Sequence, residues 1–172
     1  MVNEHIHDLE ERKATSGCPY HFVGSGLPNV YLIGIKYNVC KTCNAQSADI
    51  PAIQKLMQLI ARTIVENEAA LTGLEIRFLR KRLGKKSSDF ASLVGVSAEQ
   101  VSRWENGHNP PERSADKLIR IFYSILSRDR TLRQKMNRDI EDWLTTMTAD
   151  GQVPDIRAKL QNKEWKAETV PA

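Results

Sequence analysis

The stretch from Arg80 to Gly107, RKRLGKKSSDFASLVGVSAEQVSRWENG, constrains this chain more than any other. Its spacing predicts two short helices joined by a glycine turn. Ala91 is small where the helices must cross closely. Gly95 follows four residues later, where a positive φ is cheapest for glycine. Val101, ten residues beyond Ala91, faces the same small core with Phe90, Val94 and Val96. Ser97 stands where a helix N-cap belongs, with Glu99 and Gln100 in the first turn. The second helix, Ala98 to Asn106, then turns Val101 and Trp104 inward and shows solvent Ala98, Glu99, Gln100, Ser102, Arg103 and Asn106. An Arg, a Gln and an Asn on the outer face of a short capped helix suit the reading of base edges in a major groove.

Helical hairpins joined by glycine also occur in domains that never meet DNA. Two further offsets add information: Arg80 lies eleven residues before Ala91, and Glu105 fourteen after it. With Ala91, Gly95 and Val101 they resemble the phage-repressor (Xre/Cro) class of DNA-binding domain. That resemblance implies a largely buried ion pair between Arg80 and Glu105, tying the preceding helix to the end of the recognition helix. Lys85 and Lys86 precede the first helix of the motif and are expected to meet phosphate, with Ser87, Ser97 and Asn106 as further phosphate contacts.

Charge is concentrated around this motif. The chain carries a formal +4 over 172 residues, yet Leu74 to Gly107 alone holds seven basic side chains against four acidic ones. A local basic face suits phosphate contact, as it would suit a solvated helix. The N-terminus is polar and acidic without an apolar leader core, and no segment nears membrane-spanning length. A soluble cytoplasmic protein is expected. Three cysteines do not suggest a disulfide framework. No Ser-His-Asp set or phosphate loop is evident, and His108, Glu112 and Asp116 read as loop and cap residues, so an enzyme is not expected.

Taken in order, residues 1–17 are charged, lack apolar periodicity and are expected to form a mobile arm. Tyr20–Val23, Asn29–Ile33 and Ile35–Val39 are β-rich runs, predicting a small antiparallel sheet within a β-domain of residues 18–49. That sheet is short of apolar mass and needs a staple from metal, helices or a partner. Cys40-x-x-Cys43 is half of a zinc knuckle, and Cys18 with His21 would complete a Cys₃His site. In an extended run residues 18 and 21 face opposite sides, so Cys18-Pro19 would have to turn. A reduced, metal-free pair stays open, and His5 and His7 are weaker ligands.

Pro51 opens a connecting helix in 50–70, with Ile53, Leu56, Met57, Ile60 and Ile64 as its apolar stripe. Thr72 caps a helix from Leu74 to Leu83 whose Leu74, Phe78, Leu79 and Leu83 face inward, and Gly84 ends it. The helix-turn-helix domain spans 71–128 and includes a helix on Ala115, Leu118, Ile119, Phe122 and Leu126. An additional helix in 129–147 runs through Leu132, Met136, Ile140, Trp143 and Leu144. Residues 148–172 form a polar tail with at most a weak helix from Ile156 to Trp165. The fold class expected is α+β: a small β-domain of degenerate zinc-finger type, then an all-α domain.

Tyr20-His21-Phe22, Ser25 to Leu32, Cys40-x-x-Cys43, Ile50-Pro51 and the run from Leu71 to Arg80 together resemble the YgiT/MqsA-type zinc-finger plus helix-turn-helix family. The resemblance covers roughly residues 18–125. It implies a zinc-binding β-domain and a repressor domain that dimerises on a palindromic operator in double-stranded DNA. In antitoxin members the β-domain holds a toxin and the complex represses its own operon. Matching positions assign base contact to Glu99 and Arg103, with Gln100 and Ser102 in support. The family's first Cys-x-x-Cys pair is absent here, and only Cys18 stands near its place. A protein-interaction module whose β-domain grips a partner, with DNA binding secondary, is the competing reading.

Overall fold

Alternating apolar and polar residues drive the N-terminal part of the chain into strands, but not into one sheet. A computed structural model describes residues 8–138 and 153–168. The elements are β1 (Leu9–Lys13), β2 (Tyr20–His21), β3 (Val30–Ile33), β4 (Lys36–Cys40), β5 (Gln46–Ala48), α1 (Ile53–Glu66), α2 (Gly73–Arg82), α3 (Ser87–Val94), α4 (Ala98–Glu105), α5 (Arg113–Leu126), α6 (Arg130–Arg138), β6 (Ile156–Gln161) and β7 (Glu164–Ala167). The fold is α+β. It divides into two units: a β unit drawn from Met1–Phe22, Asn29–Leu59 and Asp155–Ala172, and a helical unit drawn from Val23–Pro28 and Ile60–Pro154.

The β unit holds two sheets. One is antiparallel, ordered β1-β4-β5; the other is ordered β2-β3-β6-β7. In the second, β2 pairs β3 and β6 pairs β7 antiparallel, while β3 and β6 run parallel, Val30 opposite Ile156 and Leu32 opposite Ala158. Gly34 separates β3 from β4 and sends the chain from one sheet to the other. The sheets are tied there by Gly34 N–H to Ala14 C=O and Ala14 N–H to Ile35 C=O, both at 2.9 Å. The Tyr20 and Tyr37 rings, one from each sheet, meet at 5.2 Å. Val30, Leu32 and Ala158 are wholly buried.

Four expectations are corrected here. The arm is a strand from Leu9 to Lys13, because pairing with β4 satisfies backbone groups that its charged side chains say nothing about. The single antiparallel sheet is two sheets, one of them mixed. The polar tail, with its weak helix, is a hairpin across Ile156 to Ala167. That hairpin supplies the missing apolar mass: Ile156, Ala158 and Trp165 are buried, and the Trp165 indole donates to Pro51 C=O at 2.8 Å. Two strands whose apolar residues alternate with Arg157, Lys159 and Lys166 read as polar in a linear scan. Pro51 also falls outside its helix, which begins at Ile53 after Ala52 at φ 50°.

The helical unit begins within α1, where Ile60, Ala61, Ile64 and Val65 are buried. The last carbonyls of a helix have no partner within it. Here a side chain from α5 answers them. Arg120, 1% exposed, donates to the carbonyls of Ile64 (2.9 Å), Val65 (3.1 Å), Asn67 and Ala69 (2.5 Å), and to Asp116 Oδ1 (2.5 Å). The second Asp116 oxygen accepts from Leu71 N–H at 2.6 Å. Arg62 of α1 forks onto Asp129, whose Oδ1 also accepts the first amides of α6 from Thr131 and Leu132.

α2 opens on a capping box, Thr72 Oγ1 accepting from Glu75 N–H and the Glu75 carboxylate from Thr72 N–H. Phe78 and Leu79 are buried as expected, joined by Ile76, but Leu74 is 39% exposed because Glu75, drawn into the cap, takes the inward position. In α5 the inward face is Ala115, Asp116, Ile119, Arg120, Tyr123 and Ser124; Leu118 and Leu126 are exposed. The polar Asp116 and Arg120 occupy inward positions that an apolar scan assigns to leucine. In α6 Leu132 and Met136 are buried, and Ile140, Trp143 and Leu144 lie outside the described residues.

Gly73 begins α2 directly against the end of α4. A Cβ there would stand 2.1 Å from Trp104 C=O, which is backbone and cannot step aside. Gly73→Ala is therefore expected to destabilise by about 3 kcal/mol, the upper range for overpacking. A thermal melt within a degree or two of wild type would contradict this contact. Deleting residues 153–172 should strip amide protection from β3 while α2 to α5 keep theirs; hydrogen exchange that leaves β3 protected would show the hairpin to be dispensable.

Candidate nucleic-acid interface

The two helices of the motif, α3 and α4, meet through the buried Phe90, Ala91, Val94, Val101 and Trp104. Gly95 adopts φ 80° after α3 and donates to Ala91 C=O at 2.9 Å, ending that helix without the strain a side chain would bring. Ser97 Oγ accepts from Gln100 N–H at 3.1 Å and starts α4. With Val101 and Trp104 turned in, Glu99, Ser102 and Arg103 are left exposed. Gln100 is half-buried on the flank, lining a cavity with Val96, Trp104, Asn109 and Leu118.

What holds α4 in place is its last residue. Glu105 has only 5% of its side chain exposed and receives two arginines from α2. Arg80 Nε reaches Oε1 at 2.5 Å and Nη2 reaches Oε2 at 2.8 Å, a two-point fork. Arg77 Nε adds a contact to Oε2 at 3.3 Å. Burial alone would push the Glu105 carboxyl up, but the hydrogen bonds and charge of Arg80, then of Arg77, outweigh it and hold it below the ordinary value. Arg80 also donates to Lys85 C=O at 2.8 Å, so the same guanidinium fixes the approach to α3. Arg77 escaped the sequence reading, although its place three residues before Arg80 puts both on one face of α2.

The phosphate candidates fall into two groups. Lys85 and Lys86 flank the N-terminus of α3, Lys86 at the N-cap without a side-chain cap bond and Ser87 as the first helical residue. Ser97 and Asn106 are engaged within the protein. Ser97 caps α4; the Asn106 carbonyl oxygen accepts from Arg77 Nη2 at 2.9 Å, and its amide donates to Ser102 Oγ at 3.4 Å. A contact from Ser102 through Asn106 to Arg77 thus links the outer face of α4 to α2.

The proposed metal ligands are not assembled. Cys40 is buried at the end of β4, Cys43 exposed in the turn after it, and His21 sits in the other sheet, stacked on Tyr31 at 5.1 Å. Cys18 is exposed, and its thiol, after burial, helps hold the Tyr37 hydroxyl above its ordinary value. Among the described residues no three of His, Cys, Asp and Glu come together as a set able to hold a metal ion. Of the four expected ligands, His21 belongs to β2 and Cys40 to β4, strands of different sheets, while Cys18 and Cys43 lie outside the strands. His5 and His7 lie outside the described residues.

Comparison with known proteins addresses the helical part. Residues 76–122 match the family model described as Helix-turn-helix. The chain is 42% identical over 48 residues to the "Uncharacterized HTH-type transcriptional regulator YiaG" of Escherichia coli strain K12, and equally to its counterparts in the O6:H1 and O157:H7 strains. The matched segment is 28% of this chain, and it spans half the length of those relatives. No solved structure matches the chain.

Removing Glu105 leaves Arg80 and Arg77 against each other without their acceptor. Glu105→Ala is expected to cost about 3 kcal/mol, within the range for breaking a buried pair, read from denaturant unfolding at neutral pH. A depressed folded pKa makes this contribution complete above the ordinary carboxylate value of about 4.3 and lost as pH falls through the lower folded value. The stability gap between wild type and Glu105→Gln should therefore hold from pH 7 to about 5 and close at more acid pH. Glu75 works in the opposite sense: burial raises its carboxyl above the usual range, so protonation relieves rather than weakens the fold. A gap that widens on acidification would be incompatible with the ion pair.

Proposed function

We propose that this chain is a sequence-specific DNA-binding repressor that acts in the cytoplasm as a homodimer on a palindromic operator, and that it performs no catalysis. The observation that carries the reading is the exposed Glu99-Ser102-Arg103 face of α4, held rigidly from behind by the Arg80–Glu105 fork. A base-reading side chain gains specificity only if its helix cannot shift, and this helix is pinned at both ends, by the Ser97 cap and by Glu105. Lys85 and Lys86 beside the α3 N-terminus supply the charge that phosphate attracts. The helix-turn-helix match and the name of the relatives as transcriptional regulators support the same reading. No helix among the described residues is long and apolar enough to cross a membrane.

The finer reading is an antitoxin-type regulator that represses its own operon, its β unit gripping a toxin. The order of parts supports it, five strands of the β unit preceding the helix-turn-helix and two following it. Co-purification with the product of the adjacent gene, and relief of any growth arrest that product causes alone, would test it.

For DNA binding itself the test is a mobility shift across a salt series. Wild type should select a preferred duplex from a randomised pool and lose affinity steeply with salt. Lys85→Ala should weaken preferred and random duplexes alike and reduce the salt slope by about one counterion per subunit. A slope unchanged from wild type would remove Lys85 from the phosphate contacts.

A further inference from the structure

Glu99 and Arg103 do not stand independently on α4. Arg103 Nη2 donates to Glu99 Oε1 at 2.6 Å, one helical turn back, while both side chains stay largely exposed, at 57% for Arg103 and 74% for Glu99. Two separate readers would each need to present free donors or acceptors to a base. Here the acid has already spent one oxygen on the base-reading guanidinium.

We infer that Glu99 is a positioning and specificity-determining residue for Arg103, and that the pair reads one base pair as a single unit, preferring guanine. The inference rests on the DNA-reading role proposed for α4. Its chemistry is that of the guanidinium, which carries five N–H donors in a planar fork. One proton of Nη2 goes to Glu99, leaving the other Nη2 proton, Nη1 and Nε for the O6 and N7 acceptors of guanine. Arg103 is a long, exposed side chain, and the contact to Glu99 narrows the orientations it samples before DNA arrives, so less rotamer freedom is lost on binding.

Charge supplies a second argument. Glu99 is a carboxylate on the surface that would face polyphosphate. Paired, it makes a locally neutral unit with Arg103; without Arg103 it is a bare anion against an anionic partner. Glu99 and Arg103 therefore differ in what their loss does. Losing Glu99 frees Arg103 to wander, still attracted to DNA. Losing Arg103 removes the reader and exposes a repulsive charge to every DNA sequence.

The test uses the full chain and a duplex pool with randomised positions, followed by affinity measurements on the selected duplex, its single-base-pair variants and an unrelated duplex. Both residues are exposed, so Glu99→Ala, Glu99→Gln, Arg103→Ala and the double Glu99→Ala/Arg103→Ala variant should keep wild-type melts. Glu99→Ala should lower the guanine preference at one base pair about tenfold, leaving other positions as they were. Glu99→Gln, which keeps an acceptor oxygen, should recover most of it. Arg103→Ala should bind the unrelated duplex more weakly than the double variant does. If Glu99→Ala instead erased preference at a different base pair and left the guanine untouched, Glu99 would be reading a base of its own. Additive single-variant effects would likewise overturn the coupling. A wild-type protein that enriched no sequence would remove the DNA-reading role and this inference with it, whereas the other failures leave that role standing.

Discussion

The helical unit depends on one buried guanidinium. Arg120 reaches from α5 to the carbonyls that α1 leaves unpaired, and Asp116, its partner one turn back, takes the amide of Leu71. Each of these groups would be expensive to bury alone; together they satisfy one another. The arrangement fixes the segment between α1 and α2, and everything downstream inherits that position. Thr72 starts α2 at once, Gly73 can lie against Trp104 C=O, and Arg80 and Arg77 arrive opposite Glu105. A side chain on α5 thus governs where α4 can stand, through contacts none of which involves α4.

Buried ion pairs of this kind set position more than they add stability, because removing charges from water offsets much of their attraction. The helical unit uses two such arginine-carboxylate centres, Arg120 with Asp116 and Arg80 with Glu105, plus the fork of Arg62 on Asp129. Each carboxylate also serves a second purpose: Asp116 holds a loop amide, Asp129 caps α6, and Glu105 receives Arg77. Apolar contacts could fill the same volumes. They would not impose the same directions, and a helix that presents side chains to a partner needs direction.

The helical part was the more legible half of the sequence. Ala91, Gly95, Ser97, Val101 and the Arg80 and Glu105 offsets each encode a local requirement, a close crossing, a left-handed turn, a cap or an ion pair, and local requirements survive without knowing the rest of the fold. Asp116 reads as a loop or cap residue, and the role of Arg120 is invisible, because an inward-facing Arg on a helix looks like a solvent-facing one until its acceptors, more than fifty residues back in the chain, are known. The β unit was harder for a related reason. β1 is fully exposed and charged, so nothing in its pattern marks it as a strand; its register with β4 does. β6 and β7 carry only Ile156, Ala158 and Trp165 inward, and their partner β3 lies far back in the chain. The Cys-x-x-Cys spacing is visible in the sequence, but the assignment of β2 and β4 to different sheets is not, because it depends on partners far along the chain.

The parallel pairing of β3 with β6 has a consequence for the order of events on the ribosome. Synthesis runs from β3 through α1 to α6 before β6 exists. All the partners that α2, α3, α4 and α5 take from one another are then already outside, whereas Val30 and Leu32 still wait for the strand that covers them. Domains generally assemble as their own residues emerge. The helical unit is accordingly the first to mature, and the β unit, though it contains the first strands translated, is the last. Nascent chains would carry a finished helix-turn-helix and an open sheet edge at the same moment.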